Sequence, residues 1–140
     1  MAWSFELGSI NLQIENGTNM AKHNFKKLEI WMAGLEISKM IYTLTDKFPQ
    51  REQFALTTQL NKSGVSIPSN IAEGSFRTTN KEFSRFIDIS LGSSAEAETQ
   101  LVIAEWRGYI TSIQLRNVLD KIDSFQKRTI VFKENLKRKQ

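Results

Sequence analysis

The chain has 140 residues, 40% of them hydrophobic and 24% charged, with a formal net charge of +4. That length suits a single domain, and the balance is that of an ordinary globular protein rather than a disordered one. Cysteine is absent, which excludes disulfides, thiolate metal sites and Cys nucleophiles together and is compatible with a reducing cytoplasm.

Residues 1–21 hold Glu6 and Glu15 and no cation, so this part carries −2. No basic residue precedes Lys22, so the charged n-region of a secretory signal is missing. Trp3, Phe5 and Leu7 alternate with other residues, Gly8-Ser9 follows, and Ile10, Leu12 and Ile14 alternate again. Two period-two runs around a Gly-Ser pair predict a β-hairpin, and an isolated hairpin needs a partner surface. The competing reading of residues 1–19 is a leader, with the domain proper over residues 20–140.

The period becomes helical after Asn24, a candidate cap for a helix presenting Phe25, Leu28, Trp31, Leu35, Ser38 and Tyr42. Phe48-Pro49 is expected to stop it, with Pro49 opening the next helix. The second helix shows Leu56, Leu60, Ser63, Ile67, Ile71 and Gly74 on one stripe. Pro68 lies inside it and is expected to kink it by removing the hydrogen bond to the Gly64 carbonyl. Gly74 reads as its C-terminal stop. Thr79-Asn80-Lys81-Glu82 and Thr111-Ser112-Ile113-Gln114 are capping boxes opening a third and a fourth helix, the third terminated by Gly108. Short connections between long helices predict an all-α, antiparallel up-down four-helix bundle. No apolar run approaches the roughly 18 residues of a membrane span.

The polar residues that such a bundle must explain are Asn70 and Glu73, flanking Ile71, with Ser93 and Glu96 facing them from the third helix. A buried carboxylate needs donors or a proton. The structural reading is a polar seam that fixes helix register; the functional one is a ligand or metal pocket. His23 is the only histidine, and no Glu-x-x-His pair, nucleophile triad or phosphate-cradling glycine loop is present. Glu73, Glu82, Asp88, Glu96 and Glu98 could hold Mg²⁺, but nothing in their spacing demands it. The expectation is a protein without catalytic residues, cofactor or metal.

Arg77, Lys81 and Arg85 recur every four residues and form a cationic ridge beside a helix N-terminus, suited to phosphate oxygens. The competitor is a solvated face, since Glu82 and Asp88 interrupt the ridge. Residues 126–140 carry +5 through Lys127, Arg128, Lys133, Lys137, Arg138 and Lys139 against Glu134. Such a tail suits phosphate backbones, and equally complements a helix dipole.

Asn24 to Trp31, Phe48-Pro49 with Glu52, Gln59-Leu60, the run Ser66 to Gly74 with Arg77, Glu82-Phe83, Phe86, Gly92-Ser93, Glu96 and Gly108-Tyr109-Ile110 carry a resemblance. Over about 115 residues the chain resembles the bacterial four-helix-bundle family named for proteins encoded in intervening sequences of 23S rRNA genes. Ala97, where that family tends to a larger apolar residue, is a departure, and residues 1–19 have no counterpart. The resemblance implies a ring-shaped homopentamer with an RNA or other nucleic-acid association. A distantly similar bundle is an accessory to reverse transcriptases. The function expected is therefore non-enzymatic, cytoplasmic binding of RNA or DNA without sequence readout, through Arg77, Lys81, Arg85, Lys127, Arg128, Lys137, Arg138 and Lys139. The alternative is an oligomeric scaffold or adaptor that docks a protein partner.

Overall fold

A computed structural model describes residues 24–139 as four helices: α1 (Glu29–Thr45), α2 (Leu56–Ser75), α3 (Asn80–Trp106) and α4 (Ser112–Arg138). The hairpin expected over residues 1–19 lies outside the described residues. Each helix packs on its neighbour in sequence and α1 closes the bundle against α4, while the diagonal pairs stay apart. This is the expected up-down arrangement.

Local sequence sets the boundaries. The Asn24 side chain accepts from the Lys26 amide at 3.2 Å, but it caps only a 3₁₀ turn, Phe25–Lys27. Leu28 is extended, so α1 starts four residues later than a cap at Asn24 implies. Pro49 precedes a second 3₁₀ turn, Gln50–Glu52, rather than opening α2. Thr111 and Gln114 form a complete capping box on α4. Thr79 accepts from the Glu82 amide and caps α3. At the end of α3, Gly108 has φ +80°, its N–H bonds Glu105 O and the Tyr109 N–H bonds Ala104 O. That paired pattern is the Schellman stop, and glycine meets its left-handed turn without strain.

The buried stripes follow the helical period with one shift. On α1 they are Ile30, Gly34, Ile37 and Ile41 together with Trp31, whereas Tyr42, expected on that stripe, is exposed. Among the described residues Phe83 and Phe125 are the largest fully buried side chains, each worth about 2–3 kcal/mol of apolar transfer. Small residues let the helices approach: Ser63 and Ser90 bond across the α2–α3 contact, while Gly64 packs on Ile41 of α1.

Gly74 does not stop α2. The helix continues to Ser75, and a Cβ at position 74 would lie 2.7 Å from Phe86 Cβ and 2.8 Å from Phe83 Cδ1. Close approach of α3 is what requires glycine there. α2 runs on through Pro68, as its unbroken stripe implies, and the Ser38 hydroxyl of α1 supplies the donor that the proline removes.

Candidate functional site

Antiparallel packing brings the start of α1, the end of α2, the start of α3 and the end of α4 to one end of the bundle. Two contacts mark this end. Phe25 and Phe76 have ring centroids 6.0 Å apart, and Asn80 Nδ2 lies 3.4 Å from the Leu136 carbonyl oxygen. Taking the half of each helix nearest this end, residues 24–37, 66–93 and 125–139, gives eleven cations against six anions. The opposite half, residues 38–65 and 94–124, has seven of each. All the cations predicted to form a site lie in the first half.

Their geometry is not that of one uniform ridge. Arg77 sits in the connection before α3, its Nη2 bonded to Glu73 Oε1 at 2.9 Å and its guanidinium 4.6 Å from the Phe86 ring centroid. Arg77 and Arg85 come together around a small cavity of about 130 Å³, with Glu82 and Phe86. Lys81 is exposed beside them. Lys127 pairs with Asp123 at 3.0 Å and Arg128 with Glu29 at 3.9 Å. Both cations border a groove of about 510 Å³ between α1 and α4, with Leu28, Ile30 and Val131 along it. Lys137, Arg138 and Lys139 are exposed on the last turn of α4, where they also complement its dipole.

Lys26, Lys133 and Phe76 belong to this end and were not among the predicted site residues. Lys26 Nζ lies over the Phe25 ring at 4.6 Å, and burial lowers its pKa from the ordinary lysine value. Lys133 bonds Asp88 at 2.5 Å. Helix direction in an up-down bundle is the signal that would have found the two lysines.

Polar side chains meet between α2 and α3. Ser66 and Ser93 hydroxyls bond at 2.8 Å, and Asn70 Nδ2 donates to Ser66 O and Oγ at 2.8 Å. Ser63 Oγ lies within hydrogen-bond distance of Glu96 Oε1 at 2.8 Å and of Gln100 Oε1 at 2.9 Å, its one hydrogen shared between them. Glu73 is not in the seam: its side chain is 55% exposed and turned to Arg77. No buried carboxylate therefore has to be neutralised at this position. Ser93 thus bonds across to α2, while Asn70 bonds along its own helix.

At the opposite end a second polar group ties the two distal connections together. Tyr109 OH donates to Glu52 Oε2 at 2.6 Å, and the Arg107 Nε donates to Tyr109 OH at 3.4 Å. The Tyr109 hydrogen bond holds the Glu52 carboxyl below its ordinary pKa, and the same hydroxyl raises that of Arg107. Around this clasp Phe54, Trp106 and Ile113 are 90%, 82% and 70% exposed. Among the described residues no group of three or more His, Asp or Glu side chains is placed to hold a metal ion. No described helix is long and apolar enough to cross a membrane.

Residues 26–130 match the family described as 23S rRNA-intervening sequence protein. The fold is similar to the crystal structure of a protein with unknown function from the S23 ribosomal protein family of Bacteroides thetaiotaomicron VPI-5482. The TM-score is 0.69 at 24% sequence identity, over 74% of this chain and 96% of that one. At that identity the likeness concerns the fold. No curated protein sequence matches the chain.

Proposed function

The chain belongs to the 23S rRNA-intervening sequence protein family, and from that premise we propose that it binds nucleic acid, without catalysis, through the basic end of its bundle. The observation that carries this reading is the charge asymmetry: eleven cations against six anions at one end, and balance at the other. A polyanion gains from such a surface by releasing condensed counterions, and contacts of this kind carry no base readout. Arg85, Lys81 and the Lys137–Lys139 turn serve as phosphate contacts. In a homopentamer, the assembly that the family resemblance implies, five basic ends would form one continuous surface. Such a role belongs in the cytoplasm. A filter-binding titration with structured RNA at several salt concentrations tests the reading. Binding that weakens steeply as salt rises is expected; negligible affinity at low salt would sink it.

A second reading is supported by the opposite end, where Phe54, Trp106 and Ile113 are exposed on a surface without net charge. That composition suits association with protein, either another copy of the chain or an adaptor partner. The mass of the native particle separates self-association from a monomer that waits for a different protein.

A further inference from the structure

We propose that the basic end takes single-stranded rather than duplex nucleic acid, with Phe76 and the Arg77 guanidinium as the surfaces on which unpaired bases stack. This rests on the nucleic-acid reading above and narrows its substrate.

Phe76 caps α2 with its backbone in the αR region, and its N–H bonds the Glu73 carbonyl at 3.2 Å. The residue is thus held by the helix end, in a connection of only four residues, Phe76–Thr79. The residue is 53% exposed at the basic end, next to Arg77. One side is buttressed: Phe25 lies 6.0 Å away, and Phe25 in turn stands edge-on to the buried Trp31 at 5.2 Å. A fixed ring, supported from the core and open to solvent beside cations, is the arrangement that a flat partner can use.

Arg77 adds a second platform. Its charge is already paired with Glu73 at 2.9 Å, which weakens it as a phosphate contact, while its guanidinium is held over the Phe86 ring at 4.6 Å. A planar cation positioned in this way suits stacking against a base. Phosphates would fall to Lys81, Arg85 and the last turn of α4. A duplex hides its base faces and would engage only those cations. A single strand presents base faces and phosphates together, and gains from the rings as well.

Fluorescence anisotropy on the full chain decides the matter, with an oligouridylate of about 20 nucleotides and an RNA duplex of the same length as probes, at low salt. The single strand should bind about tenfold tighter. Phe76→Ala and Phe76→Leu should each weaken single-strand binding about fivefold or more and leave duplex binding unchanged, while the loss of the Phe25 contact lowers thermal stability only modestly and leaves the chain folded at the assay temperature. Phe76→Trp should retain single-strand affinity. The inference is overturned if the duplex binds as tightly, or if both Phe76 variants match wild type while charge reversal at Lys81 and Arg85 abolishes binding. In those outcomes the nucleic-acid reading stands. If neither probe binds at low salt, both fall together.

Discussion

The Ser38 hydroxyl on α1 donates to the carbonyl oxygen of Gly64 on α2 at 2.5 Å. That oxygen is the one which Pro68, four residues further on, cannot serve, because proline has no N–H. The same face of α1 makes room for the proline: a Cβ on Gly34 would lie 3.2 Å from Pro68 N. Gly34 and Ser38, one turn apart, thus pack against the proline and satisfy the acceptor it leaves.

Ser38→Ala should therefore destabilise the bundle by about 1–3 kcal/mol, the cost of an unsatisfied buried acceptor. In a Pro68→Ala background the backbone N–H returns, and the same serine substitution should cost less than about 1 kcal/mol. Urea unfolding of the four proteins in this cycle gives the coupling directly. Additive effects would mean that the two residues act separately.

Two glycines on the α2–α3 pair should respond in opposite directions. At Gly74 an added methyl meets Phe86 and Phe83 inside 3 Å, so Gly74→Ala should cost about 1–3 kcal/mol through overpacking. At Gly92 nothing lies within 4 Å of the added atom. Gly92→Ala should stabilise by about 0.5–1 kcal/mol through helix propensity. Thermal unfolding of both variants distinguishes a packing glycine from an incidental one.

The Glu52–Tyr109 clasp should make the distal end acid-sensitive. Folding holds the Glu52 carboxyl below its ordinary pKa of 4.5. Its contribution is therefore complete above that value and is lost as pH falls through the ordinary carboxylate range to the folded pKa. Tyr109→Phe and Glu52→Gln should both lower the melting temperature at neutral pH. The gap to wild type should narrow as pH falls through the ordinary carboxylate range and close only below the lowered folded pKa. A gap that stays constant with pH would point to packing against Phe48, 5.3 Å from the Tyr109 ring, rather than to the carboxylate.

Charge reversal separates the two ends. Lys81→Glu with Arg85→Glu should weaken nucleic-acid binding and lower the slope of log affinity against log salt by about 1–2. Arg51→Glu with Arg116→Glu, in the balanced half, should change neither. Equal losses from both pairs would mean that net charge, rather than its placement, governs binding.

Assembly, by contrast, should depend on the distal end. Trp106→Ser with Ile113→Ser removes two highly exposed apolar side chains, so the stability of a single subunit should change by less than about 0.5 kcal/mol. If that end joins copies of the chain, the mass of the native particle should fall on substitution. An unchanged multimer would place the interface elsewhere.

The sequence by itself determined the helices and their order, because spacing, capping residues and short connections act over a few residues. The Thr111–Gln114 box and the Gly108 stop stand where the sequence put them. It also determined the family, through the run around Pro68. What it misjudged depended on neighbours distant in sequence. Gly74 reads as a stop, but the need for glycine comes from Phe83 and Phe86 on another helix. Glu73 reads as a seam residue, yet it is exposed and pairs with Arg77 across the helix end. Only the tertiary structure gathered Lys26, Arg77, Arg85, Lys133 and the α4 tail at one end and left Phe76 standing among them. Charges scattered over more than a hundred residues become one surface only when the helices pack side by side, and which side chains that packing covers or leaves exposed is decided by contacts distant in sequence.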